Sequence, residues 1–134
     1  MSIYDGIYIG DQVFLGPSCV FTNDKTPRAV NYGNKWFLSD TYIHKGVTIG
    51  ANATIVCGHT IGEYATIGAG STVTHNVVPY ALMVGVPAKQ IGWVSKAGFK
   101  LDLPVNSSSI IYAICPVSGE KYMLHKHKLS LVTE

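Results

Sequence analysis

The residues able to do chemistry cluster in one short stretch. Asn23, Asp24, Lys25 and Arg28 follow one another closely, with Tyr32 and Trp36 behind them and His44 and Lys45 next. A carboxamide such as Asn23 can orient a ligand by accepting or donating a hydrogen bond, but it cannot act as a base. The candidate proton acceptors are Asp24 and His44. Lys25, Arg28 and Lys45 suit phosphate or carboxylate, the arginine as a two-pronged fork. Each has a plainer reading beside it. Asn23 can open an Asx turn, His44 can be a surface histidine, and the cations can be solvated charges. His59 and His75 complete the central histidines. Cys19, Cys57 and Cys115 are odd in number and form no CxxC pair, so they read as small buried apolar residues. Cys115 and Pro116 with Gly119 also make a zinc-knuckle fragment, but no second Cys pair exists to complete a metal site.

These residues must be held by a scaffold, and its signature is a six-residue repeat. Ile43, Ile49, Ile55, Ile61, Ile67, Val73 and Pro79 recur at every sixth position. Gly50, Gly62 and Gly68 follow three of them, and the fifth positions are Val47, Ala53, His59, Ala65, Ser71 and Val77. An earlier run of Ile3, Ile9, Leu15 and Phe21 has the same form. Each hexad is a short strand plus a corner, with the aliphatic and the small fifth residue pointing inward. Three hexads close one coil, so Ile43, Ile61 and Pro79 are expected in one column, Ile49 over Ile67, and Ile55 over Val73. His59 breaks the small-residue rule and reads as a satisfied interior histidine or an interface one. The expected fold is all-β, a parallel β-helix built on hexapeptides, each coil stabilised by its neighbours.

The two runs are out of phase, because the step from Phe21 to Ile43 is not a whole number of hexads. A loop near 22–36 must leave the solenoid there, and loops on rigid scaffolds carry function. After Pro79 the repeat stops. The expected division is 1–83 for the solenoid and 84–134 for an exit segment. In that segment Pro87 interrupts the ladder, 91–100 reads as a short helix or extended chain, 102–109 as a linker, and 110–115 with 121–124 as a β-hairpin.

Composition narrows the function classes. Charged residues make up 13% of the 134, against about 25% typically, and there are 14 glycines. That argues against a helical bundle, and the sparse charge suggests that part of the surface meets other copies. A net charge of +2 gives no basic face for nucleic acid; the cluster His125, Lys126, His127 and Lys128 reads as a solvated tail. No run approaches a membrane span. With no disulfide framework and no signal peptide, a cytoplasmic location is expected.

Gly50–Gly58, Ile67–Thr74 and Gly85–Lys89 resemble the hexapeptide-repeat acyltransferases, and Phe21–Arg28 resembles the sugar-nucleotide N-acetyltransferases among them. Gly92–Pro104 with Cys115–Tyr122 is most similar to the UDP-2-acetamido-3-amino-2,3-dideoxyglucuronate N-acetyltransferases, with the dTDP-3-amino-3,6-dideoxyhexose N-acetyltransferases as the alternative. The resemblance implies a left-handed β-helix and a homotrimer with each site between two prisms. It implies acetyl transfer from acetyl-CoA to the 3-amino group of a nucleotide sugar, for surface polysaccharide, with no metal. By that resemblance Asn23 holds the reacting amine; from their own chemistry Lys25, Arg28 and Lys45 are candidates for the substrate's diphosphate or carboxylate, and Tyr32 and Trp36 for stacking on the base or walling the pocket. The resemblance implies that Gly68, Ala69 and Gly70 line the pantetheine, and that Pro87, Ala88 and Lys89 lie at the adenosine end of coenzyme A. It also implies several coils ahead of Ile3 that this chain lacks, so an inactive truncated solenoid is a competing reading. A γ-carbonic-anhydrase-like metalloenzyme is another. That reading is disfavoured, because His44, His59 and His75 are not whole coils apart and are not expected to stack.

Overall fold

A computed structural model describes residues 6–22 and 40–133. Among these the chain is all β, with no helix. The solenoid is a left-handed parallel β-helix. Its first coil holds β1 (Ile7–Ile9), β2 (Phe14–Leu15) and β3 (Val20–Phe21). The second holds β4 (Thr41–Ile43), β5 (Thr48–Ile49) and β6 (Thr54–Ile55), and the third β7 (Thr60–Ile61), β8 (Thr66–Ile67) and β9 (Thr72–Val73). These strands stack into three faces, ordered β1-β4-β7, β2-β5-β8 and β3-β6-β9. The apolar stripe works as the repeat requires. Ile43, Val47, Ile49, Ala53, Ile55, Ile61, Ala65, Ile67 and Val73 are buried in one cluster. At about 1.5–3 kcal/mol for each fully buried aliphatic side chain, that stripe is the main source of stability.

Register shows where each coil closes. Ile43 pairs with Ile61, Ile49 with Ile67, and Ile55 with Val73, each three hexads further along, as expected. The first coil lies much further from the second in sequence, yet Ile9 sits on Ile43, Leu15 on Ile49 and Phe21 on Ile55. The surplus lies between Thr22 and Asp40, at the corner joining the β3 and β4 faces.

The last turn departs from the hexad. Ile61 bridges to Val77, not Pro79, and Met83 pairs with Ile67. The step has contracted below three hexads, since Val77 follows Val73 by four positions rather than six. Pro79 falls instead against Gly62, where an added Cβ would lie 2.4 Å from the proline nitrogen.

The corner conformation also differs from expectation. Glycines one position after the inward aliphatic are required for close stacking of coils: a Cβ on Gly50 would sit 2.5 Å from the Ala69 nitrogen. The left-handed turn residue comes two positions later, at Gln12, Ser18, Gly46, Asn52, Tyr64 and Gly70.

Beyond the solenoid, β10 (Ala81–Gly85) pairs with β8 and turns back through Val86 and Pro87 into β11 (Ala88–Trp93). Residues 91–93 are therefore strand, not helix. Trp93 is buried, and its indole N–H donates to the carbonyls of Pro104 and Val105, pinning the stretch expected to be a linker. The expected hairpin is present but longer, and it is part of a three-stranded antiparallel sheet. Its strands are β12 (Ser107–Ile114), β13 (Lys121–Lys126) and β14 (Lys128–Leu131). The basic cluster is its tight turn, with His125 opposite Lys128, rather than a tail. This sheet and β11 enclose a second core of Tyr80, Trp93, Leu101, Cys115, Tyr122, Leu124 and Leu129.

Candidate functional site

The short coils leave each candidate residue at a definite corner. His44 follows β4 and is exposed. Its backbone N–H donates to the Ile61 carbonyl, so the rung below fixes its backbone. Lys45 is next, and its ammonium lies 3.9 Å from the Glu63 carboxylate. That pair is mostly solvated, so it contributes little and leaves the ammonium available.

Two grooves meet here. One, of about 400 Å³, is lined by Tyr8, Tyr42, His44, Lys45 and Glu63 among others. The second, of about 450 Å³, shares His44 and Glu63 and runs past Thr60, Asn76 and Pro79. The Asp40 carboxylate, followed by burial and by Tyr8, holds the Tyr42 phenol above its ordinary pKa. Tyr8 and Tyr42 were not picked out by the hexad pattern. Their pairing depends on the long step between the first and second coils, which no sequence rule supplies.

A second ledge lies at the corner after β8. The Gly68 N–H donates to the Met83 carbonyl at 2.8 Å, and the Ser71 hydroxyl accepts from the Gly85 N–H at 3.1 Å. Gly85 in turn faces Ala88 across the β10–β11 turn. The structure thus brings Gly68, Ala69 and Gly70 together with Pro87, Ala88 and Lys89, blocks well separated in sequence. Ala69 and Gly70 are exposed, and the space where a Gly70 Cβ would point is open to 4 Å.

One prism does not bring His44 and Lys45 to that ledge. They occupy the corner between the β4 and β5 faces, whereas residues 68–70 occupy the corner between the β8 and β9 faces. Asn23, Asp24, Lys25, Arg28, Tyr32 and Trp36 lie outside the described residues. Thr22 and Asp40, which flank them in sequence, stand at the third corner, between the β3 and β4 faces.

The histidine spacing also takes its meaning from the contracted turn. His59 and His75, expected not to stack, lie with ring centroids 6.3 Å apart. Their separation in sequence matches the shortened step, the same as that from Ile61 to Val77. His59 is half-buried rather than interior, and His75 is exposed with its ring nitrogen 2.9 Å from the Thr74 hydroxyl. His44 is at another corner, and among the described residues no three His, Cys, Asp or Glu are arranged to hold a metal ion. No helix of the described residues is long and apolar enough to cross a membrane.

Residues 40–75 match the family described as bacterial transferase hexapeptide (six repeats). The solenoid is a hexapeptide-repeat solenoid of that kind. Over 82 residues, 61% of the chain, it is 46% identical to dTDP-3-amino-3,6-dideoxy-α-D-galactopyranose 3-N-acetyltransferase of Aneurinibacillus thermoaerophilus. The chain spans 40% of that relative's length. Among solved structures, a hexapeptide-repeat acetyltransferase of Vibrio cholerae complexed with acetyl coenzyme A is similar at 31% identity and TM-score 0.56, over 66% of this chain and 50% of that one. A galactoside acetyltransferase in complex with coenzyme A gives 29% and 0.60, over 75% and 53%. An N-acyltransferase from Bacillus cereus in complex with dTDP and coenzyme A gives 25% and 0.57, over 67% and 54%. These solved structures, which share the solenoid fold with this chain, are acetyl- and acyltransferases.

Proposed function

We propose that this protein is an acetyl-CoA-dependent N-acetyltransferase acting on the 3-amino group of a nucleotide-linked amino sugar. The observation that carries the reading is the open ledge at Gly68–Gly70 clasped to the turn bearing Pro87, Ala88 and Lys89. A corner without side chains lets an extended pantetheine lie against the coil, and Lys89 offers a cation for a phosphate of coenzyme A. That relatives of the same solenoid hold coenzyme A supports this assignment.

The chemistry asks for few groups. A neutral amine attacks the thioester carbonyl, an oxyanion forms, and the amine proton must leave. Asn23 accepts a hydrogen bond from the amine through its side-chain carbonyl and so orients it. His44 and Asp24 are the proton acceptors within the chain, and the departing thiolate of coenzyme A is another. Lys25, Arg28 and Lys45 meet the diphosphate, while Tyr32 and Trp36 wall the sugar-nucleotide side.

The His44–Lys45 pair and the Gly68–Gly70 ledge occupy different corners of one prism, and Thr22 and Asp40, which flank the Asn23 segment in sequence, stand at the third. We therefore read the active unit as a homotrimer, with each site assembled between two copies. A cytoplasmic location and a role in surface polysaccharide synthesis follow from a nucleotide-sugar substrate. For the nucleotide, the 46% identity to a dTDP-3-amino-3,6-dideoxygalactose enzyme favours dTDP. The UDP-linked glucuronate reading rests only on the resemblance of residues 92–104 and 115–122.

Coenzyme A release, followed with a thiol reagent, tests the proposal. Purified protein given acetyl-CoA and a dTDP-3-amino-3,6-dideoxyhexose is expected to release thiol in proportion to acetylated sugar. No release with either the dTDP or the UDP amino sugar, from protein shown to be assembled, overturns it.

A further inference from the structure

Tyr8 and Tyr42 face each other in register on β1 and β4. Their rings stack at 5.0 Å between centroids and 13° between planes, and the residues are 52% and 42% exposed. In a stacked β-solenoid, such a ladder of aromatic rungs can continue from coil to coil. Here it stops: the rung after Tyr42 is Thr60. One face of Tyr42 is covered by Tyr8, and the next rung offers only a small side chain. That gap opens beside the grooves that hold His44, Lys45 and Glu63.

We propose that the Tyr8–Tyr42 ladder is the platform for the pyrimidine base of the nucleotide sugar, which stacks on Tyr42 as the missing third rung. Stacking on aromatic side chains suits any heteroaromatic ring. Lys45 and His44 lie along the same groove, where they can meet the phosphates that such a base carries. Glu63 lines the groove too, and its carboxylate suits sugar hydroxyls or an amine rather than phosphate. The adenine of coenzyme A is the rival occupant. The corner positions favour the pyrimidine, since the ledge at Gly68–Gly70 and Lys89 is at a different edge of the prism. The inference rests on the nucleotide-sugar reading above and adds to it a base-binding surface on the rigid coils, outside the 22–36 segment.

Calorimetry on the full chain tests it, with dTDP, UDP and CoA as separate ligands. Tyr42→Ala is expected to weaken binding of dTDP or UDP by about tenfold or more, the effect of deleting one stacking partner. Tyr8→Ala should weaken it less, because Tyr8 only backs the platform. Tyr42→Phe, which keeps the ring, should bind within about twofold of wild type, and CoA binding should not change in any variant. Wild-type protein that transfers acetyl groups while Tyr42→Ala binds nucleotide normally overturns the platform alone. CoA affinity falling in place of nucleotide affinity also overturns it, as does a change only in subunit association. Wild-type protein that neither binds a pyrimidine nucleotide nor releases coenzyme A overturns the functional reading and the platform with it.

Discussion

Two glycines on the same edge of the prism, one coil apart, do different work, and substitution separates them. Gly50 is held by the coil below, where a Cβ would overlap the Ala69 backbone. Gly50→Ala is expected to cost about 3 kcal/mol, since backbone on both sides cannot give way; urea unfolding measures it. Gly70 has a φ of +71° and open space around it. Gly70→Ala should cost only about 1 kcal/mol of left-handed strain. Its added methyl stands on the ledge assigned to coenzyme A, so the KM for acetyl-CoA should rise while the fold survives. Cys115 is a residue of another kind. It is buried and free; its thiol donates to the Ser95 hydroxyl oxygen and its sulfur accepts from the Ser118 N–H, and hydrogen bonding with the Ser118 hydroxyl, the Ser118 N–H and Ser95 lowers its pKa to about 7. Its folded pKa lies below its unfolded one, near 9. The stabilisation is therefore present above pH 9 and is lost as pH falls through 7. The urea midpoint of wild type should rise with pH across that window relative to Cys115→Ala. Replacing Ser118 with Ala should flatten the rise.

An aromatic row ties a corner of the solenoid to the C-terminal sheet. Tyr64 stacks on Tyr80 at 5.6 Å, Tyr80 meets Tyr122 edge-on at 5.6 Å, and the Lys96 ammonium lies 5.2 Å from the centre of the Tyr64 ring. Tyr64 adopts a left-handed φ of 58°, a conformation rare for so large a residue. The corner of the coil demands that conformation, as it does at Gln12, Ser18 and Asn52, and the row packs the side chain once it is there. Burial, then Glu63 and the neighbouring phenols, push the Tyr80 pKa up to about 12. The sign is opposite to that of Cys115. Below pH 10 both folded and unfolded states keep the proton, and between 10 and 12 only the folded state does. Stability should then fall as pH rises through that range, and tyrosinate absorbance should appear together with unfolding. Tyr80→Phe should delay the loss. Much of this architecture was legible in the hexads, because inward isoleucines at a fixed spacing demand stacking. The contracted final step was not, since Val77 and Pro79 both fit an apolar column. The shortening becomes visible only when Met83 is seen on Ile67. The β14 strand escaped for a related reason. His125, Lys126, His127 and Lys128 have the composition of a solvated segment, and only the pairing of Leu129 and Leu131 against β13 turns them into a hairpin turn. The residues from Asn23 to Trp36 were legible as chemistry, but their geometry belongs to the chain between Thr22 and Asp40.

At the scale of the molecule, a site shared between two copies has a quantitative consequence. If each site takes the Asn23 block from one copy and the Gly68–Gly70 ledge from the next, a chain damaged in one block is still whole in the other. Asn23→Ala should leave a homotrimer with little activity, and so should Gly70→Trp, whose side chain fills the ledge. Mixing the two variants after mild dissociation and reassembly creates interfaces of four kinds. In one of them the intact Asn23 block and the intact ledge meet, so about a quarter of the sites should recover under random mixing around a closed ring. Acetyl transfer by the mixture, compared with wild type at equal total chain, reads that fraction directly. Sedimentation of the same samples checks that trimers have formed. If both blocks of a site came from one prism, no mixed interface would be whole, and the mixture would stay as inactive as its parents. Recovery near one quarter would tie the 13% charge content to its cause: faces of the prism are spent on neighbours because the chemistry is completed there.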